Sequence, residues 1–366
     1  MEISVCIITK NERKKLERCL TCLKPSGFEL VVVDTGSEDG SVDMARGFTD
    51  SVFDFCWIDD FAAAKNYAIS KAKHDMVLIV DSDEYWIEGQ IEPFLQQVEK
   101  YNAYVGRITR RESFRTETGD KGESIVGAER VFDRRRYHFA GRIHEQVVEG
   151  SVFDENRDDT RDAIRRQKSP VKVYDTGLLF DHDGYDGTQE DRKKKAERNL
   201  RLLMDEHRLV PEDVYIIYQI AKSVYFTDGA TEAIRWYEKA LDHGVDPEKE
   251  WGVDLITCYG YALLEVQQYE RATNLERYYG PLSEQADYLF LMGLIFMNTA
   301  QFERAINEFI RCTQLSNARA AGVDSYKAFY NAGVIEECLG HREIAASYYQ
   351  NAGDYEPARK GLERVK

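Results

Sequence analysis

Two short β-branched runs in the first half of the chain, residues 30–33 and 76–80, each stop on an aspartate, and this constrains the fold more than any other feature. The first runs into Asp34-Thr35-Gly36-Ser37-Glu38-Asp39-Gly40, a cluster of turn residues, and the second into Asp81-Ser82-Asp83. An earlier run, Ile3–Thr9, also reads as a buried strand. Helical patterns lie between them. Residues 12–23 carry Leu16, Leu20 and Leu23 at three- and four-residue spacing, a helix can start at 41–45, and 61–72 are alanine-rich. Strands alternating with helices predict a parallel sheet covered on its faces, with ligands bound beyond the carboxyl ends of the strands. Asp34, Asp81 and Asp83 therefore fall at one edge.

Residues 103–180 predict a mixed region of short strands, with a basic run at 134–136 and a charged stretch at 154–168 expected as a solvated loop. From about Glu190 helical periodicity takes over and a spacing recurs. Ala221, Gly260, Gly293 and Gly333 are each followed twelve positions later by an alanine: Ala233, Ala272, Ala305 and Ala345. An aromatic follows four residues on in three of these units, as Tyr237, Phe309 and Tyr349. Small residues on both helices let a pair approach closely, and the aromatic is expected to fill the gap to the neighbouring pair. This is the pattern of tetratricopeptide-like helical repeats. A length of 366 residues suits two domains, and we expect them at 1–188 and 189–366.

The net charge of −16 argues against nucleic acid or anionic lipid as a main partner. The longest apolar run, 289–296, is too short to span a bilayer. The start lacks the pattern of a signal peptide, and the seven cysteines are scattered, with Cys6, Cys258 and Cys312 in apolar segments, so a cytoplasmic location is expected. Cys19 and Cys22 form a lone CxxC with no second pair, which reads as a helix position rather than a zinc site.

Four motifs could carry chemistry, each with a bland alternative. Asp81 and Asp83, one residue apart, can hold a hard divalent cation or cap the next helix. Asp34 can accept hydrogen bonds from a nucleoside or initiate its own turn. His182, between Asp181 and Asp183, can ligate a metal or lie on the surface. His144-Glu145 can supply a general base or end an exposed strand. Spacing alone balances the two readings of Asp81 and Asp83 and favours the bland reading for Asp34, His182 and His144-Glu145.

Taken in order, the motifs resemble glycosyltransferase family 2, in its bacterial branch with C-terminal tetratricopeptide-like helices. The matching segments are Ser4-Val5-Cys6-Ile7-Ile8-Thr9-Lys10-Asn11-Glu12, Val32-Val33-Asp34-Thr35-Gly36-Ser37, Asp60-Phe61-Ala62-Ala63-Ala64-Lys65-Asn66, Asp81-Ser82-Asp83-Glu84, Gly141-Arg142-Ile143-His144-Glu145 and His182-Asp183-Gly184-Tyr185. The last two look particularly like glycocin-type S-glycosyltransferases, which modify cysteine in peptides. The resemblance implies a GT-A (Rossmann-like) α/β catalytic domain plus an all-α tetratricopeptide-like domain. It implies an inverting glycosyltransferase with a nucleotide-sugar donor, expected to be a UDP-sugar, and Mn²⁺ or Mg²⁺.

Carried over by position, Thr9, Asn11 and Glu12 would line the nucleoside pocket and Asp34 would meet the base. Asp60 and Lys65 would lie near the donor, with Lys65 standing where the family usually has arginine. Asp81 would touch ribose or sugar, and Asp83 and His182 would bind the metal. Glu145 is the expected base, with His144 second. The helical repeats are expected to present a peptide or protein acceptor, a cysteine thiol being one candidate, and can also mediate a homodimer. The alternatives are a transferase for a cell-envelope glycan or small molecule, and a non-catalytic adaptor that senses nucleotide sugar. A nucleotidyltransferase would need a glycine-rich basic loop after its first strand, and Thr9-Lys10-Asn11-Glu12 is not one.

Overall fold

The computed structural model describes residues 2–101, 104–115, 121–167, 171–185 and 189–366. The chain divides into two compact units, residues 1–191 with 201–210, and residues 192–200 with 211–366. The domain boundary expected after residue 188 falls in 186–188, outside the described residues.

Among the described residues the first unit is built on ten strands: β1 (Ile3–Thr9), β2 (Glu29–Asp34), β3 (Val52–Asp54), β4 (Met76–Asp81), β5 (Glu84–Glu88), β6 (Val105–Arg115), β7 (Lys121–Asp133), β8 (Tyr137–Ala140), β9 (Gln146–Glu149) and β10 (Val173–Tyr185). Eight of them form one sheet in the order β3-β2-β1-β4-β7-β6-β10-β5, while β8 and β9 pair separately. The strands β3, β2, β1 and β4 are parallel, as the alternation of strands and helices requires. The other half is mixed, as expected, but its strands β6, β7 and β10 are long, at 11, 13 and 13 residues, where short ones were expected. β7 runs antiparallel to β4 and to β6, and β5 antiparallel to β10. β6 and β7 follow each other with no crossover segment long enough for parallel pairing, so the chain folds back on itself.

Alternating side chains of β1 feed two cores. Ile3, Val5 and Ile7 pack with Leu16, Leu20 and Leu23 of α1 (Arg13–Leu23) on one face. The helix α2 (Ser41–Arg46) adds Ala45 to that core. On the other face Cys6 packs with Ala62, Ala68 and Ile69 of α3 (Phe61–Lys71). Of the CxxC, Cys19 is buried in the first core and Cys22 is partly buried against it. The unit also holds α4 (Glu92–Tyr101) and α5 (Arg161–Arg166). The latter stands in the stretch expected as a loop and buries Arg161, while Lys168 lies outside the described residues.

A long helix, α6 (Gln189–Leu209), is shared between the units. Ten helices complete the chain: α7 (Val214–Asp228), α8 (Ala230–Asp242), α9 (Glu250–Glu265), α10 (Tyr269–Thr273), α11 (Tyr279–Leu282), α12 (Ala286–Asn298), α13 (Phe302–Cys312), α14 (Tyr326–Cys338), α15 (Arg342–Asn351) and α16 (Glu356–Val365). Short connections make α7–α8, α12–α13 and α14–α15 helical hairpins. The recurring glycines have a packing reason. A Cβ on Gly293 would lie 2.6 Å from the Phe309 ring, and one on Gly333 would lie 2.7 Å from the Tyr349 ring. The aromatic thus packs on the glycine of its own hairpin, where the gap to the next pair was expected. Tyr349 does both, since a Cβ on Gly361 of α16 would also meet its ring.

Gly333→Val tests this packing. Replacing a mid-helix glycine gains about 1 kcal/mol of helix propensity at most, while overpacking a filled core costs about 1–3 kcal/mol. The clash therefore wins, and hydrogen exchange should speed up in α14–α16 while the sheet keeps its protection. Unchanged exchange there would contradict the packing argument.

Candidate active site

The carboxyl ends of β2, β1 and β4 bring the first candidates together. Thr9 is paired in register with Asp34, and Ile8 with Asp81, so three neighbouring strands end on one row. Asp34 is 4% exposed, and its Oδ2 accepts from the N–H groups of Gly36 (2.9 Å) and Ser37 (2.8 Å), which makes the turn anticipated for this residue. Its second oxygen, Oδ1, is buried with no hydrogen-bond partner among the described residues, and so is the Thr9 hydroxyl. A buried acceptor left unmade costs about 1–3 kcal/mol, so two on one ligand edge favour a donor from a ligand. Asn11, at φ +53°, ties the two loops together: its N–H donates to Ser37 Oγ and its Oδ1 accepts from Glu38 N–H, both at 2.8 Å. Glu12 accepts from the Ser82 hydroxyl.

A chain of alternating charges runs from this row. Lys65, buried on α3, reaches Asp81 Oδ1 at 2.8 Å and Glu145 Oε1 at 2.7 Å. Arg130 on β7 holds the other Asp81 oxygen at 2.6 Å and lies 3.5 Å from Glu84. Arg110 on β6 bridges Glu84 and Glu112, each at 3.0 Å. Glu84 is fully buried and also accepts from the Asp81 N–H at 2.9 Å, which fixes the turn that carries Asp83. Burial alone would raise the Asp81 and Glu145 carboxyls. The cations Arg130 and Lys65 outweigh it and hold Asp81 well below its usual range and Glu145 below its own. Glu145 is therefore a carboxylate at neutral pH.

The loop bearing Glu145 is anchored to the start of α3, where Phe61 N–H donates to Arg142 O at 2.8 Å. His144 in that loop has φ +50°, in the left-handed region that a residue with a side chain seldom adopts. Asp60 caps α3 by accepting from Ala63 N–H at 2.8 Å, and burial raises its pKa.

The strand β10 supplies His182. It pairs in register with Glu84 of β5 and Glu112 of β6, and Asp183 N–H donates to Asp83 O at 3.3 Å. His182 Nε2 then lies 3.5 Å from Asp83 Oδ1, and its Nδ1 lies 3.6 Å from Glu112 Oε1. Burial opposes the imidazolium, but the carboxylates of Asp83 and Glu112 overcome it and raise His182 to about 9. No group of three or more His, Cys, Asp or Glu side chains poised to hold a metal occurs among the described residues. Asp83 and His182 nonetheless fit one. A metal that displaces the His182 proton would find a carboxylate oxygen and an imidazole nitrogen facing each other, donors that suit Mn²⁺.

The structure thus gathers Thr9, Asn11, Glu12, Asp34, Lys65, Asp81 and Glu145 along one edge and sets Asp83 against His182. Asp60 and His144 lie in the segments flanking Lys65 and Glu145. Arg130, Arg110 and Glu112 escaped the sequence reading. Arg130 has one signal, a charged residue beside the apolar pair Val131-Phe132, whereas Arg110 and Glu112 lie in a polar run, residues 109–113, and have none.

Residues 4–147 match the model of glycosyl transferase family 2. The chain is similar to a TPR repeat-containing protein of Synechococcus elongatus, 28% identical over 80% of this chain and 68% of that protein. It is also similar to the SPbeta prophage-derived glycosyltransferase SunS of Bacillus subtilis, 25% identical over 66% of this chain and 53% of that protein. The chain thus spans about two thirds of the first relative and about half of the second. Among solved structures, YrrB, a TPR protein with an unusual peptide-binding site, is 22% identical with a TM-score of 0.39, covering 47% of this chain and 84% of that one. No helix among the described residues is long and apolar enough to cross a membrane.

Proposed function

We propose, for a chain whose residues 4–147 match the model of glycosyl transferase family 2, that it is an inverting, metal-dependent glycosyltransferase using a nucleotide-sugar donor, in the first place a UDP-sugar. Residues 1–188 are the catalytic part, and residues 189–366 recruit a peptide or protein acceptor, of which a cysteine thiol is the first candidate atom. The observation that carries this reading is the pair of unpartnered acceptors, Asp34 Oδ1 and Thr9 Oγ1, in the same strand-end row as Asp81.

An imide N–H of uracil is the donor that Asp34 Oδ1 lacks, and Thr9, Asn11 and Glu12 would line the rest of the nucleoside pocket. Asp81, clamped by Lys65 and Arg130, presents a fixed carboxylate to ribose or sugar hydroxyls. Asp60 helps place Lys65 by capping the helix that carries it. Asp83 and His182 would hold Mn²⁺ or Mg²⁺, which supplies charge neutralisation at the leaving diphosphate. Glu145 takes the proton of the acceptor, with His144 the second candidate. The acceptor's electron pair forms the bond to the anomeric carbon from one face. The bond to the diphosphate oxygen breaks on the other, and the nucleoside diphosphate leaves with that pair. A thiol acceptor, with a free pKa of about 8.5, asks less of this base than a hydroxyl.

Thermal-shift titration of a nucleotide panel with Mn²⁺ tests the donor assignment. UDP should stabilise the chain, and Asp34→Ala should remove the preference for UDP over the other nucleoside diphosphates, at a lower unliganded melting temperature because the two hydrogen bonds of the turn are lost with the carboxylate. Equal stabilisation by all nucleotides in both proteins would contradict a base contact at Asp34.

A further inference from the structure

Helix α1 places one cation where the chemistry above needs another. The Lys15 ammonium lies 3.8 Å from Asp83 Oδ2, 3.5 Å from Asp183 Oδ1 and 3.7 Å from Glu12 Oε1. An ammonium spread over three carboxylates, with no one short bond, acts as a shared charge centre rather than as half of an ion pair. Each of those carboxylates also has a second anchor. Asp83 faces His182, Glu12 accepts from the Ser82 hydroxyl, and Asp183 accepts from Tyr85 Oη at 2.7 Å and lies 3.6 Å from Arg18. Arg18, one turn after Lys15, is itself held over the Tyr85 ring at 3.7 Å. The carboxylates are thus positioned without Lys15, and the ammonium contributes charge rather than geometry.

We infer that Lys15 is an internal counter-cation of the metal site, whose ammonium competes with a divalent cation for the carboxylates of Asp83, Asp183 and Glu12. The inference rests on the reading of Asp83 and His182 as metal ligands. Lys15 is about one-third exposed, so its side chain has a path to water when a divalent cation takes its place. The competition sets a threshold: the cation binds weakly alone and well only when a diphosphate adds negative charge. A chain built this way loads metal together with donor rather than before it. Linkage makes the effect reciprocal, so removing the ammonium must strengthen metal binding.

Titration with Mn²⁺ alone, read by the electron paramagnetic resonance signal of the free ion, tests this without any turnover. Lys15→Met should bind Mn²⁺ about tenfold more tightly than the wild type. That is well below the Coulomb limit for charges ~4 Å apart, because the site is partly open to water. Lys15→Gln should repeat the gain, Lys15→Arg should stay near the wild type, and Asp83→Asn should abolish binding in every background. Circular dichroism melts confirm that each variant is folded. If the wild type binds Mn²⁺ through Asp83 and the two neutral variants bind it equally or more weakly, the counter-cation is overturned and the metal site stands. If no folded variant binds Mn²⁺ in a manner that depends on Asp83, with or without UDP, the metal site and the inference fall together.

Discussion

Asp83→Asn is expected to lower sugar transfer by at least about 100-fold while the chain stays folded. Asp83 sits in the two-residue turn between β4 and β5, and the turn is fixed by Glu84 rather than by the Asp83 side chain. An amide keeps the size of the carboxylate and removes its charge. It forfeits the carboxylate that faces His182 Nε2 and with it the local charge neutralisation that a leaving diphosphate requires. The loss should fall on turnover rather than on recognition of the base, because Asp34 and Thr9 lie on other strands. Steady-state rates of UDP release, with UDP binding measured in parallel, separate the two. Retention of full turnover by Asp83→Asn would remove this residue from the mechanism.

Glu145→Gln should lower transfer roughly 100- to 10,000-fold at neutral pH with little change in donor affinity. Lys65 and Arg130 set the pH dependence. A base works only when deprotonated, and these cations hold the Glu145 carboxyl below its usual range. Activity should therefore persist as pH falls through the ordinary carboxylate range and fail only beneath it. Removing Lys65 takes away the nearest cation, at 2.7 Å, so Lys65→Met should move the acid limb of the pH–rate profile upward. An acid limb that does not move would mean that another group accepts the proton.

Much of the edge was legible in sequence because it depends on local pattern. A β-branched run ending in aspartate places Asp34 and Asp81 at strand termini whatever the rest of the chain does, and the parallel registers put them in one row. His182 was not legible this way. Its neighbours Glu84 and Glu112 come from strands far away in sequence, so the residues around it offered a metal ligand or a surface histidine and only the resemblance chose between them. Arg130 lies 49 residues beyond the Asp81 that it clamps, and the contact exists because β7 runs antiparallel to β4, a pairing that alternation of strands and helices does not predict. In the helical repeats the glycine and aromatic positions were readable. Their partners were not, since a ring sixteen residues after its glycine, as Phe309 is after Gly293, suits either its own hairpin or the next.

The most direct test is release of nucleoside diphosphate from a panel of nucleotide sugars by the purified full-length chain, with Mn²⁺ and then with excess chelator. At least one UDP-sugar should be turned over with Mn²⁺, with the activity lost on chelation and restored by added metal. Folded protein that consumes no nucleotide sugar under any of these conditions, or that turns one over equally well in excess chelator, would contradict a metal-dependent transferase.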